Sequence, residues 1–150
     1  MKLITECIVT VFYIGRLPIA PGTWASIAAT MCWFSFFHNL DTSILPILIL
    51  IIFFIGLFFT HRLLKTIESH DPSFIVIDEW VGQWVALSLL PVNVTNAIIG
   101  FVLFRFFDIT KLGPVKYFEK MPGAWGVMTD DLVAGFISLA IILIFHSFIL

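Results

Sequence analysis

The chain has 150 residues, 60% of them hydrophobic and only 12% charged, with a formal net charge of −2 and a mean hydropathy of +1.07. Soluble domains carry charge on about a quarter of their residues, so a water-solvated domain of average make-up is excluded; disorder, which needs low hydrophobicity and high net charge, is excluded with it. Eight Lys and Arg against 17 Phe leave no basic surface for nucleic acid, and the solvent that suits this chain is a lipid bilayer.

The length suits a single domain over 1–150. At its start, residues 3–14 (LITECIVTVFYI) form an apolar run interrupted by Glu6, with no small-x-small cleavage site before Pro18. An interfacial or partly inserted helix is predicted there rather than a secretion signal. Residues 24–37 follow as a short apolar stretch whose Ala25, Ser26, Ala28 and Ala29 suit close helix contact. Residues 44–60 are uncharged and close to the ~20 residues that cross a ~30 Å hydrocarbon core. The apolar region 75–107 is broken at 91–96 (PVNVTN), which predicts a turn between two shorter membrane helices at 75–90 and 94–107. Residues 132–150 make the last span, with His146 its only ionisable side chain.

These segments predict an all-α, polytopic membrane helical bundle with about five membrane helices and short motif-bearing loops. Charge supports that topology, since basic loops stay in the cytoplasm. With the N-terminus inside, Lys2, Arg16, Arg62, Lys65, Arg105, Lys111, Lys116 and Lys120 all fall on the cytoplasmic side, and the outer loops at 38–43 and 91–96 carry no Lys or Arg. Every acid except Asp41 follows them to that inner face.

Cys7 and Cys32 lie in apolar stretches and read as small hydrophobes. Neither has an Arg at the spacing of a thiolate phosphate loop, and there is no C-x-x-C and no paired His of a zinc site. The polar chemistry sits instead in four cytoplasmic segments. In GRLPIAPGTW (15–24), prolines and Gly22 stiffen a loop that hands over to a helix at Thr23, which is either a simple N-cap or, with Gly22 and the free backbone N–H groups, a phosphate cradle. In DPSFIVIDEWVGQW (71–84), Asp78 and Glu79 stand inside an apolar run and are costly to bury without a compensating cation. In FRFFDITKLGP (104–114), Arg105, Asp108 and Lys111 follow one another at i,i+3 spacing, as an anchoring ion-pair set or as phosphate and metal ligands. In GAWGVMTDDLVAG (123–135), Asp130 and Asp131 open the last helix; the macrodipole accounts for one acid in a first turn, not for two in tandem.

Five carboxylates, Asp78, Glu79, Asp108, Asp130 and Asp131, thus project from three helix ends on one face, with Thr23, Arg105 and Lys111 nearby. Oxygen-only ligands without His or Cys suit Mg²⁺, and a hydrolase acting on a phosphorylated lipid follows as the expectation.

With LPIAPGTWAS (17–26), DPSFIVIDEWVGQW, FRFFDITKLGPV (104–115) and GAWGVMTDDLVAG in order along nearly the whole chain, the sequence resembles the phosphatidylglycerophosphatase A family. The resemblance implies a Mg²⁺-dependent phosphomonoesterase of the bacterial cytoplasmic (inner) membrane, all-helical, converting phosphatidylglycerophosphate to phosphatidylglycerol. It carries over Asp78, Glu79, Asp108, Asp130 and Asp131 as metal ligands and water activators. Trp80 departs from the bulky aliphatic residue often found there, a change expected to affect packing more than chemistry.

The mechanism expected has Mg²⁺ on the carboxylates and the terminal phosphate, with Asp131 as the proton acceptor for water. Asp78 and Asp108 complete the catalytic set, while Gly22, Thr23, Arg105 and Lys111 bind substrate. A covalent route with Asp108 as nucleophile is the less favoured variant. The competing function is a small ion or proton transporter using the acidic cluster, which would more naturally place acids mid-span; a lipid phosphotransferase and a membrane scaffold fit less well.

Overall fold

The computed structural model describes residues 2–38, 42–67 and 72–149. Among them the protein is all-helical: α1 (Lys2–Val9), α2 (Pro21–Phe37), α3 (Leu45–Leu64), α4 (Ile77–Leu87), α5 (Val94–Thr110), α6 (Val115–Glu119) and α7 (Ala124–Ile149), with short 3-10 turns at Ile14–Arg16 and Thr42–Ile44. Asp71, at the head of the second motif, and residues 39–41 of the expected outer loop lie outside the described residues.

Two helices, α3 and α7, are long and apolar enough to cross a membrane. Their outward faces bear Ile47, Leu50, Phe54 and Phe58, and Phe136, Ile144, Phe145 and Phe148, all exposed. An apolar exterior over a packed interior is the pattern of a chain solvated by lipid. The expected span at 75–90 is an 11-residue helix, about 16 Å long at 1.5 Å per residue, which is roughly half a hydrocarbon core. Nine of its residues are buried because α2, α3, α5 and α7 all pack around it. A mostly apolar run therefore marks a helix enclosed by protein here, where hydropathy alone reads a lipid-facing span.

The predicted turn before α5 is present: Asn93 caps the helix by accepting a hydrogen bond from the Asn96 backbone N–H at 2.8 Å, and Asn96 Nδ2 donates to the Pro91 carbonyl at 2.8 Å. Other boundaries differ from expectation. The N-terminal helix stops at Val9, since Val11, Phe12 and Tyr13 have left-handed backbone angles that no α-helix accommodates. The chain from Val9 to Arg16 instead braces the lead-in to α4: Val76 N–H donates to Val9 O at 2.9 Å, and the Arg16 guanidinium lies 4.3 Å from the Phe74 ring centroid.

Helix α2 starts at Pro21, with Ala20 as its N-cap, so Thr23 lies inside the first turn and is not the cap. Proline suits that first position because its missing N–H would have no partner. Helix α7 begins at Ala124 with no acid in its first turn. Asp130 and Asp131 therefore sit in its second turn, and capping accounts for neither of them.

Close helix contact holds the site together. A β-carbon at Gly82 of α4 would overlap the Asp131 carbonyl oxygen and the Phe104 ring, and one at Gly135 of α7 would overlap the Gly82 carbonyl. Small residues at such crossings let backbones touch, and this one lays the acid-bearing ends of α4 and α7 side by side.

Candidate active site

Four helix ends converge: the starts of α2, α4 and α7 and the end of α5. Between them is a cavity of about 270 Å³ whose lining includes Gly22, Asp78, Glu79, Arg105, Asp108, Lys111, Asp130 and Asp131. All the residues singled out from sequence line this one cavity except Thr23, which reaches it through Arg105: the Thr23 hydroxyl accepts a hydrogen bond from Arg105 Nη2 at 3.3 Å.

Burial makes these charges expensive. Asp78, Asp108, Asp130 and Asp131 are each at most 7% exposed, and an isolated buried carboxylate costs several kcal/mol unless paired. Part of the compensation is built in. Arg105 Nη1 is paired with Asp108 Oδ2. Lys111 Nζ lies 2.8 Å from Asp108 Oδ1, 2.8 Å from Asp130 Oδ2 and 3.2 Å from Asp131 Oδ1. An ammonium has three N–H donors, so those of Lys111 are all committed to carboxylates and none remains for the phosphate contact expected from sequence.

Lys111 occupies the left-handed C-cap of α5, φ 48°, its N–H donating to Phe107 O at 2.9 Å. A non-glycine residue in that conformation costs roughly 1–2 kcal/mol. The three carboxylate contacts repay it, and the turn aims the side chain back across α7. Burial alone would lower the Lys111 pKa, but the charges of Asp131, Asp108 and Asp130 raise it well above the ordinary lysine value. Asp108, just beyond the expected span at 94–107, is pushed up by burial yet ends below the usual carboxylate range, because the charges of Lys111 and Arg105 and the hydrogen bond from Lys111 oppose it.

The remaining carboxylates are compensated differently. Asp78, Glu79 and Asp131 offer ligand oxygens that all lie within 4.8 Å of one another. Glu79 Oε2 and Asp131 Oδ2 are buried and accept no hydrogen bond. Hard carboxylate oxygens clustered this closely, with those two unbonded, are what a divalent cation such as Mg²⁺ requires, so the donor set fits that ion. Gly22 takes part by lacking a side chain, because a β-carbon there would overlap Glu79 Oε1.

Ser73 and Ile75 also line the cavity, and reasoning from sequence passed over both. Ser73 stood in plain view as the lone hydroxyl between Asp71 and Asp78; nothing in residue type marked it out. Trp80 faces elsewhere, lining an apolar cavity of about 300 Å³ with Cys7, Ile8 and Trp84. A second cavity, about 400 Å³, shares Val127 and Asp130 with the acidic one and is walled by Glu119, Lys120 and Met121.

Residues 7–146 match the family Phosphatidylglycerophosphatase A. Phosphatidylglycerophosphatase A of Escherichia coli (strain K12) is 36% identical over 130 residues, covering 85% of this chain and 75% of the relative. The protein of the same name from Haemophilus influenzae is 34% identical over 130 residues, 85% of this chain and 80% of the relative. A relative from Bacteroides thetaiotaomicron, named provisionally as a phosphatidylinositol-3-phosphatase, is 35% identical over 140 residues, 89% of this chain and 87% of the relative. No solved structure matches. On the strength of a family match that spans nearly the whole chain, the protein belongs to the phosphatidylglycerophosphatase A family.

Proposed function

We propose that the protein is a Mg²⁺-dependent lipid phosphatase that hydrolyses phosphatidylglycerophosphate to phosphatidylglycerol and inorganic phosphate at the cytoplasmic face of the bacterial inner membrane. The observation that carries this reading is the trio Asp78, Glu79 and Asp131, mutually within 4.8 Å beside a guanidinium and lining one cavity. Its multi-pass placement rests on the apolar exterior and on the segregation of all eight Lys and Arg to one side of the expected spans.

Asp78, Glu79 and Asp131 would hold the cation. When bound, it supplies Lewis-acid polarisation of the phosphoryl oxygens and acidifies a coordinated water. The chain's own groups do the rest. Arg105, steadied by Thr23 and Asp108, presents planar donors that match phosphate oxygens. Asp131 accepts a proton from the attacking water as the new P–O bond forms, and returns it to the glycerol oxygen as the ester P–O bond breaks. Asp108 is a poor nucleophile, since Arg105 and Lys111 engage both of its oxygens. The neighbouring cavity beside Lys120 offers room for the rest of the headgroup, while the acyl chains stay in the bilayer.

An ion or proton transporter is not favoured, because the buried acids gather at one end of the bundle instead of along a path through it. The names of the relatives leave one choice open within the phosphatase class, as all three denote removal of a phosphomonoester from a glycerophospholipid headgroup. A panel of phosphatidylglycerophosphate, phosphatidylinositol 3-phosphate and phosphatidic acid in detergent micelles tests it. Faster phosphate release from the first supports the assignment; preference for the second would transfer it to an inositol lipid.

A further inference from the structure

We propose that Lys111 stands in for the second metal ion of a two-cation phosphatase centre, so that the site takes one divalent cation beside a built-in ammonium; this rests on the metal-assisted reading of the site. The five carboxylates form two overlapping trios that share Asp131. One trio, Asp78, Glu79 and Asp131, has mutually close oxygens. The other, Asp108, Asp130 and Asp131, converges on Lys111 Nζ at 2.8, 2.8 and 3.2 Å.

Two-metal phosphatases hold their ions roughly 3.5–4 Å apart. Asp131 has the form of a carboxylate bridging two such positions: Oδ1 lies on the ammonium, while Oδ2 is buried and accepts no hydrogen bond. The side chain is 2% exposed and lines the acidic cavity, so the second oxygen is kept from bulk solvent. Lysine suits the substitution because its ammonium is a compact point charge, whereas arginine spreads its charge over a planar fork. Three donors meet three carboxylates, so Lys111 is fully committed as an internal cation. The left-handed cap at the end of α5 delivers it to α7, the helix that carries two of its three partners.

The test counts ions in the full-length protein in detergent, with Mn²⁺ as a paramagnetic probe that shares the preference of Mg²⁺ for oxygen ligands. Bound Mn²⁺ per chain and its electron paramagnetic resonance spectrum are read for wild type, Lys111→Met and Lys111→Arg, with Lys111→Gln as a second neutral variant should Lys111→Met fail to fold. The expected result is one magnetically isolated ion in wild type and in Lys111→Arg, and a spin-coupled pair in the neutral variant. A coupled pair in wild type, or a single ion in the neutral variant, would overturn the role given to Lys111 and leave the metal-assisted reading standing. No bound Mn²⁺ in wild type would overturn both.

Discussion

Gly82 of α4 lies so close to Asp131 of α7 that a β-carbon on the glycine would overlap the aspartate's carbonyl oxygen. The contact is backbone to backbone, and it decides how far the Asp78 and Glu79 end of one helix stands from the Asp130 and Asp131 turn of the other. Gly82→Ala must push the helices apart or distort both. Overpacking of this kind typically costs about 1–3 kcal/mol, and the loss of activity should exceed what the fraction of folded protein accounts for. Thermal unfolding measured beside phosphate release separates the two effects.

A gentler version of the same contact lies at Gly22, whose missing β-carbon leaves space for Glu79 Oε1. Gly22→Ala should weaken metal binding, read as a higher Mg²⁺ concentration for half-maximal activity. Gly113→Ala is the control. That glycine has φ +62° with nothing within 4 Å, so the substitution strains the backbone by roughly 1–2 kcal/mol and should leave the Mg²⁺ dependence unchanged.

Arg105 joins two helices, pairing with Asp108 on its own helix and with Thr23 on α2. Arg105→Lys keeps the charge but loses the planar fork. Removal of one such donor from a transition-state contact lowers kcat by about 10²-fold, and a drop of that order is expected. Thr23→Val should cost less, because it removes only the group that steadies the guanidinium. Steady-state kinetics on both variants checks the order.

Chelation should stop turnover and Mg²⁺ should restore it. Ca²⁺ should restore it poorly, since it favours six to eight oxygens at longer distances and holds them in looser geometry. Phosphate release after EDTA treatment and readdition of each ion is the measurement.

How much of this was legible in the sequence follows from what each pattern encodes. The five carboxylates stood out because acids next to Ile77 and Leu132 need a reason to be there, and the structure does gather them in one cavity. The start of α7 was hidden because the small and polar residues around Gly126 and Thr129 lower the local hydropathy, although they continue the same helix. The short length of α4 was hidden for the opposite reason: enclosure by four helices leaves all of this 11-residue element but Asp78, Glu79 and Gln83 without a polar side chain, much as in a span. Lys111 carried a signal of charge and spacing, but i,i+3 spacing to Asp108 gave no sign that its ammonium reaches Asp130 and Asp131 on another helix. Gly82 and Gly135 had no chemical signal at all, since a close approach between backbones is a property of the packed pair.

The central claim is that a buried acidic cluster performs Mg²⁺-assisted phosphate ester hydrolysis on a lipid. Its most direct test is inorganic phosphate release from phosphatidylglycerophosphate in detergent micelles, with Mg²⁺ or with EDTA, for wild type beside folded Asp131→Asn and Asp78→Asn. The account predicts release by the wild type with Mg²⁺ only, and loss of that release in both variants. Release that persists in EDTA or in both variants, or no release by the wild type with any divalent cation, would contradict it.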